Sequence, residues 1–437
     1  MRESDFVFYA DAEQADFKVV CDWELCFGNE FDGTDEDDDS VVEMIEPSPR
    51  IASRLVSFAS EFGLSGNIWH QWIAYLIISD ENPYSLACER RTVDMKSTMA
   101  ELAKSDFEII YRLFNEGPDG SVCIGTCDKD LLDVFANYKA PYADYEISAA
   151  GIRIKGFSEE LAAAKNASEF ADAAARYYEK HGAGIYGLYN SFRAESDDML
   201  LEIVPIRNAR DVSFDLLVGR EEQKQTLRSN TDAFVKGIDA NNVLLYGDSG
   251  TGKSTSVHAL IHDYSDAGLR LVELVKRERA KLPELISELK KRNYKFIIYM
   301  DDLSFEEDES DYKELKAMLE GALESTNDNV LICATSNRRH LIRETWNDRN
   351  DMEFDQDVHR SDTMEEKLSL AGRFGLTIYY PKQDYKEYLH VVTTIAAREG
   401  LHIGEDELAD EARKWSIRHG STSGRTASQL VKWLLSR

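Results

Sequence analysis

The chain has 437 residues, of which 43% are hydrophobic, and a formal net charge of −30 from 81 acidic and 51 basic residues. This length is sufficient for two or three domains, each with a core of its own. The strongly acidic balance repels phosphate backbones, so it disfavours non-specific binding to nucleic acids and leaves room only for a local basic patch.

The amino-terminal sequence MRESD lacks the apolar core of a signal peptide. The most apolar stretch, residues 68–78, is too short to span a bilayer and contains His70 and Gln71. We therefore expect a cytoplasmic protein that does not contact a membrane.

Residues 1–50 form an acidic lead-in that we expect to be partly irregular, with the run Asp35–Asp39 as a solvated loop. Of the six cysteines, Cys21 with Cys26 and Cys123 with Cys127 are separated by spacings that loosely resemble those of metal-binding cysteines. No CxxC motif or histidine cluster accompanies them, so reduced and mostly buried thiols are favoured over a zinc site.

Residues 51–205 are predicted to form an α-helical accessory domain. Apolar residues recur at helical spacing, and helices are predicted at 51–62, 69–78, 83–103, 107–115, 129–136 and 159–181. The sequence GAGIYG at 182–187 has the GxGxxG form, but it follows a helix rather than a strand. It therefore indicates a helix-ending turn and not a dinucleotide site.

Strands alternate with helices from about residue 206 onward. Strands are predicted at 243–246, 269–274, 296–300, 330–334 and 376–380, with helices at 221–236, 255–264, 283–291 and 312–323 between them. This alternation predicts an α/β domain over 206–382 with a five-stranded parallel sheet covered on both faces. Three further helices, at 384–398, 406–418 and 424–435, close the chain as a domain over 383–437.

The first of these strands runs into a glycine-rich turn that matches GxxxxGKS. Its backbone N–H groups and the following helix N-terminus suit a phosphate group, with Lys253 reaching the β- and γ-phosphates and Ser254 a Mg²⁺ ion. The same residues resemble the sequence around a trypsin-like nucleophile, but that chemistry needs an all-β fold and a histidine base. The predicted cradle consists of Gly247, Asp248, Ser249, Gly250, Thr251, Gly252, Lys253, Ser254 and Thr255.

Polar residues end the next strands of the sheet. Asp301 and Asp302 follow a buried strand, where one carboxylate would hold Mg²⁺ and the other would orient or deprotonate a water molecule. Asn337 ends the fourth strand, between the phosphate loop and the acidic pair. The basic residues 338–340 that follow would either face a neighbouring subunit or be solvated.

Two arginines are candidates to meet phosphate charge. Arg373 lies just before the fifth strand, and Arg425 begins the last helix. A planar guanidinium suits phosphate oxygens, although each arginine taken singly is more often a surface residue.

Residues 214–437 resemble the AAA+ P-loop ATPases, which have an αβα nucleotide domain followed by a small helical lid. The segments ANNVLLYGDSGTGKS, DDLSFE, LKAMLEGALE, ATSNRRHL, EEKLSLAGRFGL and SGRTASQLVKWL are similar, in this order, to one bacterial branch. That branch is a family of ATP-binding proteins catalogued as a domain of unknown function.

The resemblance implies a role for each candidate. Residues 247–254 would be Walker A, Asp301 the Walker B magnesium ligand, Asn337 sensor 1, Arg373 an arginine finger and Arg425 sensor 2. Val218 and Gly219 would contact the adenine of ATP. Two residues depart from the usual pattern: Asp302 stands where most of these ATPases have Glu, and Gly372 where this branch more usually has Asp.

The same comparison bears on mechanism. Polypeptide-threading members carry an aromatic–hydrophobic–Gly loop after the second strand, whereas residues 275–282 here read VKRERAKL. Threading is therefore disfavoured, and a solvated loop is favoured over a docking site for an acidic partner or a nucleic acid.

We expect an AAA+ ATPase that hydrolyses MgATP slowly as a homo-oligomer and acts on a protein client, with nucleic acid not expected as a partner. Three alternatives are a nucleotide-dependent switch with little hydrolysis, a helicase-loader-like factor acting on nucleic acid, and a P-loop kinase.

Overall fold

The chain divides into two compact units, Met1–Tyr189 and Asn190–Arg437. The computed structural model describes residues 7, 9, 48–94, 96–116, 134–140, 146–197, 200–207, 209, 212–303, 329–337 and 372–437. The acidic run Asp35–Asp39, the four cysteines at 21, 26, 123 and 127, the predicted helix at 312–323 and residues 338–340 lie outside these ranges.

Unit 1 is helical where the structure describes it. Its helices are α1 (Ser48–Phe62), α2 (Ile68–Ser79), α3 (Pro83–Glu89), α4 (Thr98–Glu116), α5 (Ala149–Ala162), α6 (Ala167–His181) and the short α7 (Ile185–Leu188). Helix α2 is buried over most of its surface, because its sequence IWHQWIAYLIIS carries apolar residues on nearly every face.

Two long helices of the sequence prediction are each interrupted. The helix predicted over 83–103 ends at Glu89, and Arg91 follows with a left-handed φ of 55°. The helix predicted over 159–181 is broken before α6, where the Asn166 side chain accepts a hydrogen bond from the backbone of Glu169. Gly182 ends α6 with φ 88°, which confirms the helix-ending turn.

The predicted lead-in contributes to the core of unit 1. Tyr9 is only 2% exposed, and its ring packs edge-on against Phe107 with centroids 5.5 Å apart. Its hydroxyl lies 2.9 Å from that of Tyr178, and the backbone N–H of Val7 donates to Asp106 at 2.8 Å. This part of the lead-in is therefore anchored by contacts far away in sequence.

Unit 2 contains a mixed seven-stranded sheet. Its strands are β1 (Ser191–Asp197), β2 (Leu200–Pro205), β3 (Val243–Gly247), β4 (Leu269–Leu274), β5 (Lys295–Met300), β6 (Val330–Ser336) and β7 (Leu376–Tyr380). The order across the sheet is β2-β1-β4-β5-β6-β3-β7, and among the paired strands described only the β1–β2 pair is antiparallel.

The prediction of a sheet with five strands, all parallel, is wrong in strand number. The two additional strands, β1 and β2, come from residues that the prediction placed in the helical accessory domain, but they belong to unit 2. Strand β2 forms the edge of the sheet and β1 lies next to it. The sequence SFRAESD of β1 contains only two apolar residues, so its strand signal is weak.

The topology brings the candidate residues to one edge of the sheet. Strand β3 lies between β6 and β7, and the chain leaves it for the distant β4 before returning through β5 and β6. Such a reversal opens a crevice outside the carboxyl ends of the strands, where ligands bind in α/β sheets. The phosphate loop and the residues after β5 and β6 all lie at this edge.

Helices complete unit 2. Helices α8 (Glu221–Val235) and α9 (Lys253–Tyr264) share a buried apolar core with the sheet, and α10 (Leu282–Leu289) precedes β5. The three carboxyl-terminal helices, α11 (Tyr385–Arg398), α12 (Glu405–His419) and α13 (Gly424–Leu435), enclose a separate small core and are called the lid below. No helix within the described ranges is both long and apolar enough to cross a membrane.

Candidate active site

The loop between β3 and α9 requires glycine at three positions. Gly247, Gly250 and Gly252 have φ angles of 137°, 75° and 102°, which disfavour L-residues. A Cβ atom on Gly247 would lie 2.0 Å from the carbonyl oxygen of Tyr380, and one on Gly252 would lie 2.2 Å from the Leu217 side chain. The sequence motif thus corresponds to a loop that neighbouring elements hold tightly.

Helix α9 begins directly after this loop. Its N-cap, Gly252, has no side-chain oxygen to accept from the first backbone N–H groups. These donors and the positive end of the helix dipole therefore point toward the loop, which suits an anion. Thr251 stabilises the loop by donating to the carbonyl of Asp248 at 2.8 Å.

Lys253 lies at the centre of the site and is only 6% exposed. Its amino group donates to the carbonyl oxygens of Gly247 at 2.8 Å and Asp248 at 2.7 Å, and to Oδ1 of Asn337 at 3.0 Å. Burial lowers the pKa of Lys253, while nearby carboxylates, chiefly that of Asp248, oppose this shift.

Three hydroxyl groups donate to one oxygen, Oδ1, of Asp301. The distances are 2.5 Å from Thr335, 2.7 Å from Tyr299 and 3.0 Å from Ser254. Burial acts to raise the pKa of Asp301, but these hydrogen bonds outweigh it, and the pKa is lowered from its ordinary value. Burial and the neighbouring Asp301 both raise the pKa of Tyr299, which keeps its hydroxyl protonated as a donor.

Asp302 is held in an unusual backbone conformation, with φ 48°. Its N–H donates to Oγ1 of Thr335 at 3.0 Å, and its Oδ1 accepts from Nδ2 of Asn337 at 2.8 Å. Because Asn337 also accepts from Lys253, its amide links the lysine to the second carboxylate. The predicted group Lys253, Ser254, Asp301, Asp302 and Asn337 is therefore one connected hydrogen-bonded cluster.

Two members of the cluster, Tyr299 and Thr335, were missed by the sequence interpretation. Tyr299 lies two residues before Asp301 and Thr335 two residues before Asn337, so the alternation of extended backbone places each pair of side chains on the same face of the sheet. That spacing was the available signal, but the pairing of β5 with β6 was needed to show which side chains meet.

The lid contacts the phosphate loop directly. The N–H of Gly424 donates to the carbonyl of Gly250 at 3.1 Å, and a Cβ atom on Gly250 would lie 2.8 Å from Oγ of Ser423. Arg425 is exposed, and its charge contributes to the lowering of the Lys253 pKa. The structure therefore places Arg425 near the loop, with its Cβ 3.4 Å from a Cβ atom built on Gly250.

Arg373 does not join this cluster. It precedes β7, and the first residue of that strand, Leu376, pairs with Val243 at the beginning of the parallel strand β3. Arg373 therefore lies near the amino ends of these strands, whereas the phosphate loop leaves the carboxyl end of β3. It is half-buried at this opposite edge.

The segment Leu217–Gly219 lies between the loop and the lid. Leu217 approaches Gly252, whereas Val218 packs against the core of the lid. Gly219 has φ 76°, and a Cβ atom there would meet open space. These positions suit a group bound beside the loop.

The basic segment after β4 is not the solvated loop that was favoured. Lys276–Lys281 forms a 3₁₀ helix in which Glu278 and Arg279 are buried. Glu278 accepts a 2.5 Å hydrogen bond from Ser196, so the segment is attached to β1. Glu278 also pairs with Arg277 at 3.1 Å, whereas Lys276 and Arg277 themselves are exposed, so the segment is solvated only in part.

The residues present suit a nucleotide with a magnesium ion. Phosphate oxygens fit a loop whose glycines leave no room for a Cβ atom and whose following helix has uncapped N–H groups. Mg²⁺ prefers oxygen ligands, which the Ser254 hydroxyl and the Asp301 carboxylate provide. The described residues contain no cluster of three or more His, Cys, Asp or Glu side chains suited to a metal. The two described cysteines, Cys88 and Cys333, are buried thiols.

Distant structural likenesses to known proteins include two motor or AAA-domain structures. The RuvB Holliday junction branch migration motor of Thermotoga maritima is 18% identical, with 51% of this chain and 64% of that chain covered and a TM-score of 0.36. The AAA domain of FIGL-1 in complex with ADP is 17% identical, with 51% and 72% covered and a TM-score of 0.35. The match to RuvB spans less than two thirds of that protein, and no curated protein matches the chain.

One family matches more than half of the chain. Residues 189–437, which correspond closely to unit 2, match the family described as "Protein of unknown function (DUF815)". The chain therefore belongs to this family, in agreement with the resemblance to a branch catalogued as a domain of unknown function.

Proposed function

We propose that the protein is an AAA+ ATPase that binds MgATP at residues 247–255 and hydrolyses it to ADP and phosphate. The observation that carries this proposal is the cluster of Lys253, Ser254, Asp301, Asp302 and Asn337, which is connected through Thr335 and lies beside a glycine loop. Phosphoryl transfer depends mainly on positioning and charge neutralisation, and this cluster supplies the groups for both.

Each residue then has a defined task. The loop N–H groups and the Lys253 ammonium hold the β- and γ-phosphates, while Ser254 and Asp301 hold the magnesium ion. A bound Mg²⁺ supplies positive charge against the phosphate oxygens. Asp302 orients or deprotonates the attacking water, and Asn337 positions that water and contacts the γ-phosphate.

The contacts of Asp302 support slow turnover. Its carboxylate is shorter than the glutamate usual at this position, and it is hydrogen-bonded to Asn337 at 2.8 Å. Those two side chains must rearrange around a water molecule before attack. We therefore propose that hydrolysis is slow or is stimulated by a partner.

We further propose that the active form is a homo-oligomer. Arg373 lies at the sheet edge opposite the phosphate loop of its own chain, so it would reach a γ-phosphate only in a neighbouring subunit. Arg425, by contrast, would act within its own chain, where it couples the nucleotide to the lid. Val218 and Gly219 would contact the adenine. The output would be remodelling or regulation of a cytoplasmic protein client, selected by unit 1.

The test is phosphate release from MgATP as a function of protein concentration. Specific activity should rise with concentration, and both Lys253→Ala and Arg373→Ala should abolish it. When Arg373→Ala is mixed with Lys253→Ala, activity should partly return, because one mixed interface contains an intact site. Activity that is independent of concentration and unchanged in Arg373→Ala would contradict the shared site.

A nucleotide-dependent switch is the second candidate, favoured by the same Asp302–Asn337 hydrogen bond. Tight ATP binding without phosphate release would support it. Loss of measurable turnover in Asp302→Asn, with ATP binding intact, would instead support the ATPase. An action on nucleic acid would be indicated by ATPase stimulation with DNA or RNA that fades as salt rises.

A further inference from the structure

The hydroxyl groups that converge on Asp301 Oδ1 come from three separate elements. Tyr299 lies on β5, Thr335 on the neighbouring β6, and Ser254 in the first turn of α9. Tyr299 pairs with Cys333 and Met300 with Ala334, so the next step of the ladder brings Asp301 beside Thr335. The convergence is thus built into the register of two central strands.

These three contacts are not equivalent. The Thr335 and Tyr299 hydroxyls lie at 2.5 Å and 2.7 Å and belong to side chains that are each 2% exposed. Ser254 is more exposed, and its contact is the longest at 3.0 Å. Because Ser254 is a ligand for the ion in the proposed function, its hydroxyl is the one free to change partner, whereas the two buried hydroxyls are fixed.

Thr335 has a second contact that Tyr299 lacks. A hydroxyl has one donor and two acceptor sites, and Thr335 uses both kinds. It donates to Asp301 and accepts from the N–H of Asp302, whose backbone has the strained φ of 48°. One hydroxyl therefore fixes the side chain of the first aspartate and the main chain of the second.

We propose that Tyr299 and Thr335 are positioning residues: both orient the Asp301 carboxylate toward a divalent cation, and Thr335 alone also sets the direction of Asp302. This inference rests on the proposed function. The two hydroxyl groups are expected to have different effects. Loss of either one should weaken the binding of the divalent cation, but only loss of the Thr335 hydroxyl should misorient Asp302, the residue that faces the attacking water.

The test uses the full chain and two measurements. Binding of a fluorescent ATP analogue is titrated with Mg²⁺ from an EDTA baseline, and phosphate release is measured at saturating Mg²⁺. Groups that orient metal ligands typically contribute roughly 10- to 100-fold to metal affinity. Thr335→Val and Tyr299→Phe should each raise the half-maximal Mg²⁺ concentration by about this factor. Turnover at saturating Mg²⁺ should fall in Thr335→Val and stay near wild type in Tyr299→Phe.

Matched variants separate positioning from general stability. Thr335→Ser keeps the hydroxyl group, so its half-maximal Mg²⁺ concentration and its turnover should both be close to wild type. Thr231→Val removes a different buried hydroxyl, which donates to Leu227 within α8, and should change neither. If Thr335→Val fails to fold, the positioning role is tested with Tyr299→Phe alone. Its half-maximal Mg²⁺ concentration is compared with that of Tyr388→Phe, a control variant in the lid.

The outcomes distinguish the two levels of the proposal. A wild-type chain that binds no nucleotide would overturn the proposed function itself. A chain that binds the nucleotide with Mg²⁺, and whose Thr335→Val and Tyr299→Phe variants keep the wild-type Mg²⁺ requirement, would overturn only the positioning role. If the wild-type chain binds ATP but does not hydrolyse it, the Mg²⁺ titration alone tests whether Tyr299 and Thr335 position the Asp301 carboxylate.

Discussion

At the scale of single residues, the site depends on glycines that leave no room for a side chain. Gly250 has φ 75°, and a Cβ atom there would lie 2.8 Å from Oγ and 2.9 Å from Cβ of Ser423 in the lid. The Gly424 N–H reaches the Gly250 carbonyl only because the two segments approach this closely. The glycine loop and the lid are therefore linked through a main-chain contact.

We predict that Gly250→Ala weakens ATP binding by about tenfold, because overpacking of a close contact costs about 1–3 kcal/mol. The matched control is Gly268→Ala, which has a similar φ of 89° but no atom within 4 Å of the added methyl. Both variants carry the left-handed strain, so their difference isolates the contact with the lid. Equal ATP affinities, measured by titration calorimetry, would show that the contact with Ser423 is unimportant.

At the scale of elements, α13 connects the lid to the loop through its amino-terminal turn. The Ser423 side chain caps this helix by accepting from the N–H of Thr426 at 3.2 Å. It also lies 2.9 Å from the Thr426 hydroxyl. Arg425 is the second residue of this helix and lies in the capped turn.

Ser423→Ala should destabilise the start of α13 by about 1 kcal/mol, the usual effect of losing a serine N-cap. We expect faster hydrogen exchange in residues 424–428 and weaker ATP binding. Ser148→Ala removes the equivalent cap of α5 in unit 1. It should destabilise that helix by a similar amount without a change in ATP affinity. A loss of affinity in both variants would contradict a local role for the α13 cap.

At the scale of the whole molecule, the two units have separate cores, and the amino-terminal segment belongs to the first. The aromatic ring of Tyr9 is enclosed in unit 1, and its hydroxyl meets that of Tyr178, which donates to the carbonyl of Ile77 at 2.7 Å. Burial raises the pKa of both tyrosines, so both hydroxyls stay neutral at physiological pH.

Tyr9→Ala should therefore destabilise unit 1 by about 3–5 kcal/mol, as large-to-small changes of buried aromatic residues do. Tyr9→Phe should cost about 1 kcal/mol through the lost hydrogen bond. Val7→Ala, which truncates a side chain that is 49% exposed, should have little effect. Chemical denaturation reports these changes, and ATP binding by unit 2 should stay at the wild-type level. A wild-type unfolding curve for Tyr9→Ala would show that the segment contributes no stability.

Much of unit 2 could be predicted from the sequence because its signals are local. The glycine loop, the carboxylates after a buried strand and the apolar strands themselves each lie within a few consecutive residues, where strand and helix periodicity and turn chemistry act. The position of Lys253, Ser254 and Asp301 beside the glycine loop follows from that pattern.

The remaining features were decided only by the tertiary structure. Whether Tyr299 and Thr335 meet at Asp301 depends on the pairing of β5 with β6, and the place of Arg373 depends on β7 lying parallel to β3. The pairing of β1 with β4 and the burial of Tyr9 depend on partners far away in sequence. Residue patterns carry the local preferences of the chain, whereas register and long-range packing arise from the balance of all contacts in the folded molecule.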